Sequence, residues 1–158
     1  MDDRFERPEG QTFSNATEAG AIRDVLRRLQ FVAKAQKRRI SVAVITGYTA
    51  QVRILTDMVS QGIGELPDLD VVCNSVDAFQ GRQADICIYS VVRSNSRGQL
   101  GFLRERPRLN VALSRGKSGL VIVGDYLFCR NARGENPFRP VIKYIDEHEE
   151  TCALEALG

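Results

Sequence analysis

Residues 40–46, Ile-Ser-Val-Ala-Val-Ile-Thr, form a short and almost continuous run of β-branched and apolar side chains. A strand with one solvated face alternates polar and apolar residues, so this run marks a strand covered on both faces. Gly47 ends it, and Ala50 to Ser60 reads as the next helix. Asp70 to Asn74 is a second strand, Asp85 to Val92 (DICIYSVV) a third, and Leu120 to Val123 lies in a fourth. Between the last two, Leu109 to Arg115 is a short helix with Pro107 near its start. Upstream, Asn15 and Glu18 stand at capping-box spacing and open a helix. Its Ile22, Val25, Leu26, Leu29 and Val32 recur at helical period, while Arg23, Arg27, Arg28, Lys34 and Lys37 make a solvated side. Residues 1–13 read as an irregular, extended lead-in, and Ile142 to His148 begins a closing helix. Strands alternating with helices predict an α/β domain, its mostly parallel sheet flanked by helices on both faces. One domain spans 1–158, with 126–158 as a helical closing segment.

Composition agrees with one globular domain: 158 residues, 43% hydrophobic and 27% charged. No window approaches the ~18 consecutive apolar residues of a membrane span, and the charged N-terminus has no secretory apolar core. An intracellular location is therefore expected, without a membrane partner. Cys73, Cys87, Cys129 and Cys152 form no C-x-x-C pair and read as small buried hydrophobes. His148 is the only histidine, which argues against a His-based metal site or a Ser-His triad. The net charge of +2 is unevenly spread. Arg93, Arg97, Arg104, Arg106, Arg108, Arg115 and Lys117 face only Glu105 within their stretch, whereas the chain past Asp125 reads as acidic (Glu135, Asp146, Glu147, Glu149, Glu150, Glu155). The basic block is either a phosphate-facing surface or a solvated face.

In open parallel sheets ligands gather at the carboxyl ends of the strands, and three clusters are expected there. In Thr46-Gly47-Tyr48-Thr49-Ala50-Gln51, Tyr48 either stacks on a planar base or packs on a neighbouring loop. In residues 75–85 (SVDAFQGRQAD), Gln80 and Gly81 form an open polar corner where backbone and amide can approach phosphate oxygens. Phe79 belongs to the core, and Asp77 is a cap or hydrogen-bond anchor. In residues 109–117 (LNVALSRGK), Arg115 follows a small apolar helix surface. It either presents its planar fork to a phosphate or sits on the helix C-terminus.

Together and in this order, VITGYTAQ, SVDAFQGRQADICIYSVVRSN and RLNVALSRGKSGLVIVGD resemble motifs IV, V and VI of the superfamily 1 helicases. The likeness is to the Upf-like group, including its nonsense-mediated-decay and Sen-type members, and covers about residues 12–125. It implies a RecA-like domain of P-loop NTPase type, the second of two in such motors. Tyr48 then stacks on the adenine with Gln51 beside it. Gln80 and Gly81 stand near the γ-phosphate and the nucleic acid, Gln83 meets the ribose, and Arg115 is the arginine finger. Ser75 and Asp77 couple nucleotide state to the bound strand, and Ser90, Arg93, Ser94 and Asn95 line the nucleic-acid track. Asn15 and Glu18 match a capping pattern that opens the domain in relatives.

Two positions depart from the family pattern: Gly47 stands where the family has proline, which loosens the turn, and Gln83 where it has glutamate. No G-x-x-x-x-G-K-[ST] loop and no Asp-Glu metal motif occur in the chain. ATP and Mg²⁺ are therefore expected on a first RecA-like domain of a longer protein, with none bound to this domain alone, which should not hydrolyse ATP. The implied function is that of a motor domain closing over ATP and stepping 5′ to 3′ on single-stranded DNA or RNA. A helicase-derived adaptor without catalysis is the rival expectation.

Overall fold

A computed structural model describes residues 6–156. Residues 1–5 and 157–158, which the sequence reading places in the lead-in and closing segment, lie outside the described residues. So do the side chains of residues 106–108, including two arginines of the basic block.

Four parallel strands form the centre: β3 (Ile40–Thr46), β4 (Leu69–Ser75), β5 (Ala84–Ser90) and β6 (Gly116–Val123), in the order β4-β3-β5-β6. Alternate residues of the central strands feed two cores. Val42, Val44 and Ile88 pack with Ile22 and Leu26 of α1 (Ala16–Gln36) and Leu55 of α2 (Thr49–Gly62). Ala43, Ile45, Cys87 and Tyr89 pack with Leu109 and Ala112 of α3 (Arg106–Leu113), Phe128 of α4 (Tyr126–Asn131) and Phe138 of α5 (Phe138–Glu147). The α/β expectation therefore holds, with both faces of the sheet covered. Each buried Leu, Ile or Phe contributes about 1.5–3 kcal/mol. The helix α1 starts at the expected cap, the Asn15 side chain accepting from the Glu18 N–H, but the reciprocal half of the capping box is absent because the Asn15 N–H donates to Gln51.

Three details differ from the sequence reading. Residues 7–14 are not irregular: β1 (Arg7–Glu9) pairs antiparallel with β2 (Thr12–Ser14) around Gly10, whose φ of 65° suits the tight turn. The closing segment holds two helices, α4 and α5, and the second begins at Phe138. The chain past Asp125 is not uniformly acidic, because Arg130, Arg133, Arg139 and Lys143 precede the acidic run.

The strands end level at two opposite edges of the sheet. Thr46 pairs with Ser75 and Ser90, and Ser90 with Val123, so the carboxyl ends are level. At the opposite edge Ala84 pairs with Gly116. The six residue steps of β5 separate these edges by roughly 20 Å. The β4–β5 connection, residues 76–83, crosses from one edge to the other without a helix, anchored by buried Val76 and Phe79.

Candidate functional site

The two edges divide the three motif clusters, contrary to the expectation that all gather at the carboxyl ends. Tyr48, Gln51, Ser75, Ser90, Arg93, Ser94 and Asn95 belong to the carboxyl edge. Gln83 and Arg115 lie at the amino edge, because Arg115 precedes β6 and its carbonyl accepts from the Ala84 N–H that starts β5. The reason is topological: the helix α3 carries the chain back across the sheet before β6 begins.

At the carboxyl edge, a buried polar network ties α1, α2 and β5 together. Gln51 and Asn15 exchange hydrogen bonds, Asn15 N–H to Gln51 Oε1 at 2.9 Å and Gln51 Nε2 to Asn15 O at 3.1 Å. Gln51 also donates to Ser90 Oγ, which donates to Glu18 Oε2 at 2.6 Å. The same carboxyl oxygen accepts from Val92 N–H at 2.8 Å, and Asn15 Nδ2 donates to Val92 O. Val92 has φ 70°, a left-handed conformation costly for a β-branched residue, and these two bonds hold it there. The side chains of Gln51 and Ser90 are thus committed inside the domain. Glu18 Oε1 is buried without a hydrogen-bond partner among the described residues. Burial pushes the Glu18 carboxyl up to about 8, against the lowering bonds from Ser90 and Val92, and Asp125 adds a further upward push.

Beyond Val92, Arg93 donates to Glu6 Oε2 at 2.6 Å and lies 4.1 Å from the Phe13 ring centroid, a cation–π contact. Its Nη1 is 3.5 Å from the Tyr48 hydroxyl. Ser94 donates to Asp125 Oδ2 at 2.7 Å, and Asn95 donates to Glu6 and to Gln99 O. Tyr48 is only 2% exposed, packed against Phe13 edge-on and Phe102 at 4.6 Å. Its phenol is pushed up to about 12, chiefly by burial, with Arg93 acting the other way. Tyr48, Arg93 and Ser94 are thus all buried, with Arg93 and Ser94 bonded inside the domain. Ser75 accepts from Ala78 N–H, while Asp77 beside it is exposed. Sequence reasoning misses Glu6, Phe13, Phe102 and Asp125, since lone carboxylates and aromatics carry no spacing signal.

At the amino edge, Gln80, Gly81 and Gln83 are exposed, and Gly81 has φ 79° with open space where a Cβ would stand. Arg115 lies against this turn. Its Nε donates to Val111 O at 2.9 Å and its Nη1 to Arg82 O at 3.3 Å. Two blocks distant in sequence thereby meet, one supplying an open glycine corner and the other a guanidinium.

A profile described as "AAA domain" matches residues 1–127. Together with the relatives below, it shows the family. The chain belongs to the Upf-like group of superfamily 1 helicases. It is 41% identical over 119 residues to the regulator of nonsense transcripts 1 homolog of Drosophila melanogaster, covering 73% of this chain and 10% of that protein. It is 45% identical over 85 residues to the DNA polymerase alpha-associated DNA helicase A of Saccharomyces cerevisiae, covering 54% and 12%. An uncharacterised ATP-dependent helicase of Methanocaldococcus jannaschii is 31% identical over 147 residues, covering 93% and 20%. This helicase domain therefore spans a tenth to a fifth of the length of these relatives. No helix among its described residues is long and apolar enough to cross a membrane.

The departure at Gly47 acquires a physical reason in this helicase domain. A Cβ at position 47 would stand 2.7 and 2.8 Å from two ring carbons of Phe102. The missing side chain is what lets Phe102 cover Tyr48, so the turn is tightly packed and not loosened. Replacing Gly47 by Ala should cost about 1–3 kcal/mol. Urea denaturation measures this, and a smaller residue in Phe102→Leu should recover part of the loss.

The Glu18 network gives a second expected outcome. The folded domain keeps a proton on Glu18 up to about pH 8, whereas the ordinary carboxyl releases it near 4.5. The fold therefore binds more protons between those values, and its stability falls as pH rises through that window. The slope is at most about 1.4 kcal/mol per pH unit for one proton. Glu18→Gln should flatten this slope in denaturation curves taken from pH 5 to 9.

Proposed function

We propose that this helicase domain is the second motor domain of an ATP-dependent nucleic-acid helicase or translocase. It closes over ATP held by a first RecA-like domain and contacts single-stranded nucleic acid. The observation that carries the reading is Arg115 lying against the Gly81–Gln83 turn at the amino edge.

The residues there fit a triphosphate approached from outside. The corner at Gly81 is open, Gln80 and Gln83 are exposed amides, and the guanidinium is already fixed by two backbone carbonyls. In this reading the ligands of Mg²⁺ belong to the first RecA-like domain, together with the phosphate loop. Bound ATP supplies the phosphoanhydride that is cleaved, and Mg²⁺ offsets its charge. Arg115 brings a planar cation to that charge when the cleft closes. Gln80 and Gly81 offer polar contacts beside it. Gln83 hydrogen-bonds a sugar hydroxyl as a neutral partner, more weakly than the family's glutamate.

The carboxyl edge, about 20 Å away, serves the strand. Ser75, Asp77 and Asn95 stand at or near its surface, whereas Ser90, Arg93 and Ser94 act from inside by fixing the backbone that carries Asn95. Tyr48 likewise supports this edge from below. Contacts of this kind to phosphates are salt-dependent and largely blind to sequence.

In the full-length protein carrying both RecA-like domains, Arg115→Ala should lower ATP turnover by about 10³–10⁵, with nucleotide affinity nearly unchanged. Steady-state hydrolysis beside equilibrium nucleotide binding separates the two effects. Near-normal turnover removes the arginine-finger role. A wild-type protein that binds single strands yet hydrolyses no ATP would be an adaptor instead.

A further inference from the structure

We propose that Arg97, Arg104, Arg130, Arg133 and Arg139 form an additional docking surface for the phosphate backbone of single-stranded nucleic acid. The inference rests on the motor reading and extends its strand-binding edge toward the C-terminal helices.

Two segments distant in sequence, residues 97–104 and 130–139, meet here. The Arg133 N–H donates to Gly98 O at 2.8 Å, and the stem of Arg133 passes over Gly98. Arg104 Nη2 donates to Arg133 O at 3.3 Å. Arg139 donates from Nε to Arg130 O at 3.3 Å and from Nη2 to Ala132 O at 2.9 Å. The backbone run 130–133 is thus gripped by guanidinium groups from two sides, and all five arginines are exposed. The surface continues the carboxyl edge, because Gly98 lies in the loop that Asn95 ties and Ser94 binds Asp125 at the start of α4.

Their choice of partners decides what the surface is for. Arg27, Arg28 and Arg39, elsewhere on the domain, each pair with a carboxylate at 2.6–3.1 Å. None of the five arginines forms an ion pair with a carboxylate among the described residues; Arg104 and Arg139 bond neutral carbonyls, and Arg130 bonds the Tyr126 hydroxyl. Glu105, Asp125, Glu135 and Asp146 are the acids nearby in sequence; Asp125 bonds Ser94, and Asp146 lines an open cleft with Arg130, Arg139 and Lys143. A guanidinium has five N–H donors, of which Arg104 uses one and Arg139 two within the domain. Carbonyl bonds therefore fix the planes while leaving both charge and donors for an external anion. Clustered like charges without counter-ions favour a polyanion over a neutral partner. A protein interface would instead place apolar residues at its centre and charge at its rim, whereas here charge is central.

The test is binding of a fluorescent single-stranded oligonucleotide to the full-length protein across a salt series. Arg104→Gln with Arg133→Gln should weaken binding about tenfold or more at low salt. The slope of log K against log salt should become shallower by about 0.7 for each phosphate that the protein ceases to neutralise. Arg97→Gln with Arg130→Gln, which touches no backbone cap, provides the same readout if the first pair unfolds the domain. Unchanged affinity and slope in a folded variant overturn the inference, and so does an effect confined to an acidic protein partner. Should the wild-type protein bind no single strand at all, the motor reading falls with it, which distinguishes the two failures.

Discussion

Val92 stands in a backbone conformation that its branched side chain disfavours, and the first turn of α1 keeps it there. Glu18 holds its N–H and Asn15 its carbonyl. Everything that follows β5 depends on this clamp, because the left-handed turn at Val92 directs Arg93 under Tyr48 and Ser94 toward Asp125. The helix that caps itself with Asn15 thus also fixes the exit of a strand 77 residues away in sequence. A buried carboxyl is costly, yet here it carries bonds from Ser90 and Val92 that no apolar residue replaces.

The same clamp joins the carboxyl edge to the N-terminal segment, although Glu18 Oε1 and Thr46 Oγ1 stay buried without hydrogen-bond partners among the described residues. Arg93 is a charge inside the domain, balanced by Glu6 from the N-terminal hairpin and by the face of Phe13. Removing Glu6 leaves this cation without its counter-ion near the core, which costs more than an exposed ion pair contributes. The hairpin is accordingly a structural part of this edge. The amino edge is different in kind, with exposed amides and an arginine held only by carbonyls.

Much of the fold is legible in local pattern. The run at 40–46, the Asn15 cap and the apolar stripe of α1 apart from exposed Val32 form the elements they imply, whereas the Glu18 carboxyl turns to Ser90 and Val92 instead of completing a capping box. Local pattern does not record which edge a residue reaches. Motif order groups Arg115 with Tyr48, but the β5–β6 crossover through α3 places them at opposite ends of the strands. The hairpin at 7–14 reads as irregular in sequence because its strands are three residues each and its turn signal is one glycine. Burial of Tyr48 has no sequence signature, since it depends on Phe102, whose approach requires the bare α-carbon of Gly47. The basic character of residues 130–143 is available by simple counting, but the acidic run behind it masks it.

The helix-free crossing between β4 and β5 has a mechanical meaning. Nine peptide steps from Ser75 to Ala84 reach at most about 30 Å when fully extended, and roughly 20 Å of that is consumed by the width of the sheet. Turns at residues 76–81 and the buried rings and methyls of Phe79 and Val76 take up most of the remainder. The segment is a tether with little slack, pegged in the middle. A displacement at its glutamine-bearing end is delivered first to the buried Phe79 and Val76, and so to the core that packs beneath the sheet.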